Sequence, residues 1–153
     1  MDLIFWRHAE AKERSDSGDD LDRALTSKGE KQAKRMAVWL NRQLPDSTKI
    51  WVSPAVRTIQ TALPLERKYK IREELAPNST PDQLLQAIHW PAAKSTTLVI
   101  GHQPLMGQTI AQLIGLSEQE VSVRKGAIWW LRYRENEDSG HTVVVTVQTP
   151  ELL

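Results

Sequence analysis

Apolar residues fall along this chain in two rhythms. Short unbroken runs at residues 3–6, 50–52 and 96–100 are bounded by charge, proline or glycine and read as buried strands. Between them apolar positions recur at helical spacing. Ala33, Met36, Ala37, Leu40 and Leu44 form one stripe. It opens near Thr26 or Ser27, where Ser27-Lys28-Gly29-Glu30 fits a capping box, and Pro45 stops it. Val56, Ile59 and Leu63 form a second stripe, with Ser53 as cap, Pro54 at the first helical position and Pro64 at its end. A third helix starts at Thr80-Pro81-Asp82-Gln83 and carries Leu84, Leu85 and Ile88. A fourth opens at Gln103-Pro104, carries Leu105, Ile110, Leu113 and Ile114, and meets a C-terminal cap at Gly115. Residues 69–75 are ambiguous, with a short strand as one reading. Residues 127–133 and 142–149 read as two strands joined by a turn-rich segment at 136–140. The polar stretch 9–23 is a long loop, a kind of segment that often carries function.

Strands alternating with helices predict an α/β fold: a three-layer sandwich whose mainly parallel central sheet is flanked by helices, with a late antiparallel strand pair. The 153 residues make a single domain, 1–153. Composition then removes whole classes of function. Cysteine is absent, which excludes disulfides, thiol catalysis and Cys-ligated metal, and fits a reducing cytoplasm. Lys and Arg number 20 against 19 Asp and Glu, so no overall field draws the chain to nucleic acid or to a membrane surface. The apolar start is too short and too soon interrupted for a signal peptide. Of the six tryptophans, Trp6, Trp39, Trp51 and Trp129 sit in apolar patterns and read as core, whereas Trp90 and Trp130 are the ones open to an exposed docking role.

The informative chemistry lies at the strand ends. The first strand runs into Arg7-His8, the second into Ser53-Pro54 with Arg57 close behind, and the strand at 96–100 into Gly101-His102. Ligands of an open parallel sheet bind outside the carboxyl ends of its strands, so these groups are placed to meet at one edge. Arg57 in the first turns of a helix leans back toward that edge. Two guanidinium forks, two imidazoles and helix N-termini make an oxyanion pocket in a nearly neutral protein. A neutral imidazole is nucleophilic near pH 7, which implies phosphoryl transfer to a histidine followed by hydrolysis. His89 and His141 are the other histidines and read as bystanders; no metal and no cofactor is called for.

Arg7-His8-Ala9 resembles the Arg-His-Gly signature of the histidine phosphatase superfamily, also called phosphoglycerate-mutase-like. Leu25-Thr26-Ser27-Lys28-Gly29-Glu30-Lys31-Gln32-Ala33 is similar to its Leu-Thr-x-x-Gly-x-x-Gln-Ala helix, and Ser53-Pro54-Ala55-Val56-Arg57-Thr58-Ile59-Gln60-Thr61 to its Ser-Pro-x-x-Arg-Ala-x-Gln-Thr block. Val99-Ile100-Gly101-His102 resembles the strand that carries the second histidine. Only about 45 residues separate Arg57 from His102, too few for the capping insertion of sugar-phosphate mutases. Leu75-Ala76-Pro77 after an acidic pair, and Gly101-His102-Gln103-Pro104-Leu105-Met106-Gly107, look like the SixA phosphohistidine phosphatase branch. Ala9 departs from the signature glycine, which matters only if that residue needs a positive φ.

The resemblance implies roles. His8 is the nucleophile, and Arg7, Arg57 and His102 are catalytic groups that hold the phosphoryl oxygens. Arg23 clamps the incoming phosphate at the mouth of the pocket. Glu74 is the nearest match to an acidic proton donor, with Glu73 as competitor. The implied activity is removal of phosphate from phosphohistidine on a protein, such as a phosphotransfer domain, with inorganic phosphate as product and a cytoplasmic setting. A general phosphatase for small phosphomonoesters, or a non-catalytic phosphate-binding module, remain the alternatives. Chemistry favours the first: a phosphorylated imidazole leaves with a conjugate-acid pKa near ~6.5, whereas an alkoxide needs a proton from the enzyme.

Overall fold

A computed structural model describes residues 1–135 and 139–153. The elements follow the order expected of an α/β fold. Strands β1 (Asp2–Arg7), β2 (Lys49–Val52), β3 (Lys70–Ile71), β4 (Thr97–Gly101), β5 (Ile128–Glu135) and β6 (Gly140–Gln148) alternate early with helices α1 (Ser27–Gln43), α2 (Val56–Ala62), α3 (Pro81–Ala87) and α4 (Leu105–Ile114). They form one sheet in the order β3-β2-β4-β1-β5-β6. β3, β2, β4 and β1 pair in parallel, while β5 is antiparallel to both β1 and β6.

Strand β1 shows why the sheet takes three layers. Its side chains alternate faces. Ile4 and Trp6 pack with Met36, Ala37 and Leu40 of α1, while Leu3 and Phe5 pack with Leu84 of α3 and Ile110 of α4. These four residues are fully buried, so the middle of the strand is apolar on both faces rather than alternating.

Local expectations needed adjustment where tertiary contacts intervened. The cap of α1 is Thr26, whose hydroxyl accepts from the Gly29 N–H, and not Ser27. The capping box belongs instead to α3, between Thr80 and Gln83. Helix α2 begins at Val56, two residues after Pro54, with no side-chain cap. It also buries the face opposite to expectation: Arg57, Thr58, Thr61 and Ala62 are buried, while Leu63 is exposed. The ambiguous segment resolves into the two-residue β3 and a 3-10 turn, Glu73–Leu75. Trp130 is buried and its indole N–H donates to Asp2 Oδ2 at 2.9 Å, so it offers no docking surface. Residues 136–138 of the expected turn lie outside the described residues. Among the described residues no helix is long and apolar enough to cross a membrane.

Candidate active site

The carboxyl ends of β1, β2 and β4 are laced together just beyond the strands. The His8 N–H donates to the Gly101 carbonyl at 3.1 Å, and the Ser53 N–H to the Ile100 carbonyl at 3.1 Å. This brings the His8 and His102 rings to a centroid distance of 5.4 Å, tilted by 57°. Both rings and Arg57 are buried.

The hydrogen bonds fix where the imidazole protons sit. His8 Nδ1 lies 2.7 Å from the Ala9 carbonyl oxygen, which only accepts. Nδ1 therefore carries the proton, and in the neutral ring Nε2 is left with a bare lone pair. His102 Nε2 lies 2.7 Å from the Ser53 hydroxyl. That hydroxyl has no other acceptor among the described residues, so it donates to Nε2 and the proton of His102 rests on Nδ1, which is buried and without a protein partner. Burial, followed by the charges of Arg57, Arg7 and Arg23, lowers the His8 pKa from 6.5 to about 3. Burial and Arg57 lower that of His102 to about 3 as well. Both imidazoles are neutral at physiological pH, His8 with a bare Nε2 and His102 with a protonated Nδ1.

The guanidinium groups are anchored through their Nη atoms. Arg7 donates from Nη1 to the Val123 carbonyl at 2.7 Å, leaving Nε buried and unpartnered. Arg57 donates from Nη1 to the Asp20 carbonyl at 2.7 Å and from Nη2 to Asp20 Oδ2 at 3.0 Å, again leaving Nε unpartnered. Arg23 Nε donates to Asp20 Oδ1 at 2.9 Å, so one carboxylate ties two arginines. Burial pushes the Asp20 pKa up, but the charge of Arg57 and the bonds from Arg23 and Arg57 more than reverse it, leaving it below the usual carboxylate value. Among the described residues the buried side-chain nitrogens and oxygens without a partner are three: Arg7 Nε, Arg57 Nε and His102 Nδ1. Each such group costs roughly 1–3 kcal/mol when left unsatisfied, so a cluster of three N–H donors marks a place for an acceptor-rich anion.

The motif residues around these groups hold backbone rather than substrate. Gln32 Oε1 accepts from the Glu10 N–H at 3.0 Å, Gln60 Oε1 from the Leu25 N–H at 2.7 Å, and Thr61 Oγ1 from the Ala9 N–H at 3.1 Å. This is why α2 buries a polar face. Gly29 lies against the Glu10 backbone so closely that a Cβ would stand 2.0 Å from the Glu10 oxygen. The helix is thus pressed onto the segment that follows His8. Gly107 plays the same part for Arg7: a Cβ there would stand 1.9 Å from the Val121 oxygen, and Val121 leads to the Val123 carbonyl that receives Arg7. Ala9 is not among the positive-φ residues, so the absent glycine brings no strain.

Arg7, His8, Arg57 and His102 come together as expected, and Arg23 joins them through Asp20. Glu74 does not. Its carboxylate is exposed and pairs with Arg72 at 3.3 Å. A bond from its own backbone N–H and the Arg72 side chain lower its pKa, the wrong direction for a proton donor. Sequence reasoning missed Asp20; the signal was its place three residues before Arg23, the spacing of an ion pair across one turn. Asp20-Leu21-Asp22 has the spacing of a metal-binding pair, but its carboxylates diverge, Asp22 receiving the Ser17 hydroxyl. Among the described residues no group of three or more His, Asp or Glu is placed to hold a metal. Ser53, read mainly as a cap, is the partner of His102.

The histidine phosphatase superfamily (branch 1) profile matches residues 3–78. Phosphohistidine phosphatase SixA of Escherichia coli (strain K12) is 32% identical over 122 residues, covering 74% of each chain. The solved structure of the protein histidine phosphatase SixA complexed with tungstate superposes with a TM-score of 0.79 at 24% identity, over 99% of both chains. A phosphoserine phosphatase mutant from Entamoeba histolytica, solved with phosphoserine, shares the fold at a TM-score of 0.75 and 15% identity, over 99% of this chain and 98% of that one. The chain belongs to the histidine phosphatase superfamily, in its SixA branch, and is a phosphatase.

Proposed function

We propose that this phosphatase removes the phosphoryl group from phosphohistidine on a protein, such as a phosphotransfer domain, without a metal. The observation that carries the reading is the bare Nε2 of neutral His8 beside three buried, unpartnered N–H donors. The substrate phosphorus is attacked by Nε2, the substrate P–N bond breaks, and Arg7, Arg57 and His102 donate to the oxygens on which charge is spread. The leaving imidazole, protonated from water at its other nitrogen, departs neutral. His8 becomes a phosphoimidazolium whose Nδ1–H keeps its bond to the Ala9 carbonyl. Water then attacks the phosphorus, loses a proton and releases inorganic phosphate, restoring the neutral ring.

The pairing of Glu74 and Asp20 with arginines favours this substrate. Glu74 faces Arg72, and Asp20 is held ionised between two arginines, so neither supplies a proton to an alkoxide. A P–N substrate takes its proton from water and does not need an acid of the enzyme. Side-by-side turnover of a phosphohistidine protein and of phosphoserine or a sugar phosphate tests the reading. The expected kcat/KM ratio is at least about a hundredfold in favour of the P–N substrate. Equal or better turnover of the phosphomonoesters would establish the small-molecule reading instead, and an acid-labile phosphoenzyme distinguishes either from mere binding.

A further inference from the structure

At the other end of the sheet, a cavity of about 830 Å3 opens beside the amino ends of β2 and β4, between the edge strand β3 and the end of α3. The site groups above stand at the carboxyl ends, so this cavity is separate from them. Its floor is buried and apolar on the face that carries Trp51, where Ile88 is 2% exposed, while Ile50, at 4%, packs on the other face of the sheet. One wall is the half-buried ring of Trp51. The Lys70 ammonium lies 5.9 Å from the centre of that ring and the Arg72 guanidinium 5.2 Å, so its π-face already gathers positive charge.

Every charged residue that lines the cavity is basic. Lys49, Lys68, Lys70 and Lys94 border it, and no carboxylate does. Lys49, Lys68 and Lys94 make no side-chain hydrogen bond or ion pair among the described residues. Arg67 is different: its guanidinium is bound to Asn41 Oδ1 and to the Leu44 and Pro45 carbonyls at the end of α1, and only shapes the rim. Among the described residues the non-glycine positions with left-handed backbone are Glu66 at φ 54°, just before Arg67 and outside the lining, and His89 at φ 57°, within it. Scattered surface lysines are ordinary, but four around an apolar floor and an indole, with no carboxylate in the lining, are complementary to a particular shape.

We propose that this cavity binds a small polyanion bearing a planar ring, of the nucleoside triphosphate class. The ring lies along Trp51 over the apolar floor, and the phosphates meet Lys49, Lys68, Lys70 and Lys94. The site is independent of the phosphohistidine reading, because it is detected by binding and lies away from His8.

The test is calorimetric titration of ATP into the full chain, without divalent metal and with tungstate present to occupy the phosphate site. One site per chain is expected. The Lys49→Glu/Lys94→Glu variant should lose at least about tenfold in affinity while keeping the wild-type rate on an aryl phosphate and the wild-type thermal midpoint. Tripolyphosphate and adenosine should each bind at least about tenfold more weakly than ATP, since each lacks half of the complement. Absence of ATP binding, or binding that tungstate removes, overturns the proposal. So does tripolyphosphate binding as tightly as ATP, which would reduce the cavity to a patch of charge. Displacement of ATP by a glutamate-rich peptide of comparable affinity would assign the surface to an acidic protein segment and overturn it too.

Discussion

The two ends of the parallel sheet use the same basic residue types to opposite effect. At the carboxyl end Arg57, His8 and His102 are buried and Arg7 half-buried, and all four are held by carbonyls, a hydroxyl and one carboxylate, each in a fixed direction. At the amino end the lysines are exposed and border a cavity, and among the described residues Lys49, Lys68 and Lys94 make no side-chain hydrogen bond or ion pair. Burial is what separates them. A buried imidazole is driven neutral, which leaves one ring nitrogen with a bare lone pair, and a buried guanidinium Nε–H without a partner is left free to meet an acceptor. An exposed ammonium keeps its hydration and its freedom, and contributes long-range attraction that salt screens. The sequence composition treats all of these residues alike.

Substitutions at the carboxyl end should therefore be far more costly than those at the amino end. His8→Ala should abolish turnover while leaving phosphate binding partly intact; a rate within about tenfold of wild type would remove His8 as the nucleophile. Arg57→Ala should cost on the order of a hundredfold in kcat/KM, as loss of an oxyanion donor does, against no change in rate for Lys49→Glu/Lys94→Glu. An Arg57 variant no worse than the lysine variant would erase the distinction between the two ends.

The protonation of the histidines sharpens the same contrast. Folded His8 and His102 bind a proton only near pH 3, whereas in the unfolded chain they do so near ~6.5. Between those values the unfolded state holds more protons, so stability is complete above about pH 6.5 and is lost as pH falls toward 3. Between pH 6.5 and 5, where carboxylates stay ionised, the proton uptake on unfolding from these two residues should approach about two; denaturant titrations across that window measure it. Imidazole resonances of His8 and His102 in the free protein should show no titration above pH 5, and a midpoint near ~6.5 would contradict the burial assigned to them. The smallest effect is expected at Asp20, which positions Arg57 and Arg23 from the solvent side. Asp20→Ala should lower kcat/KM by about fivefold to tenfold, mainly through KM, and Asp20→Asn should restore part of it by keeping a hydrogen bond to Arg57.

What the sequence determined by itself is whatever depends on near neighbours along the chain. The apolar runs at β1, β2 and β4, the stripe of α1 and the glycine end of α4 follow from periodicity and capping. The Arg7-His8, Arg57 and Gly101-His102 blocks point to one sheet edge because strand ends in a parallel sheet share a side. Tertiary structure decided the rest. The Val56 and Ile59 stripe suggested the buried face of α2, yet the helix turns Arg57, Thr58 and Thr61 inward, because their bonds to Asp20, Ser53 and Ala9 lie across the fold. Ser53 has the composition of a cap and the position of a partner to a histidine 49 residues away. Glu74 has the spacing of a proton donor, and Arg72 claims it. Which imidazole nitrogen carries the proton, and whether the ring is charged at all, depends on distances and burial between segments far apart in the chain. Those are properties of packing, and no local pattern encodes them.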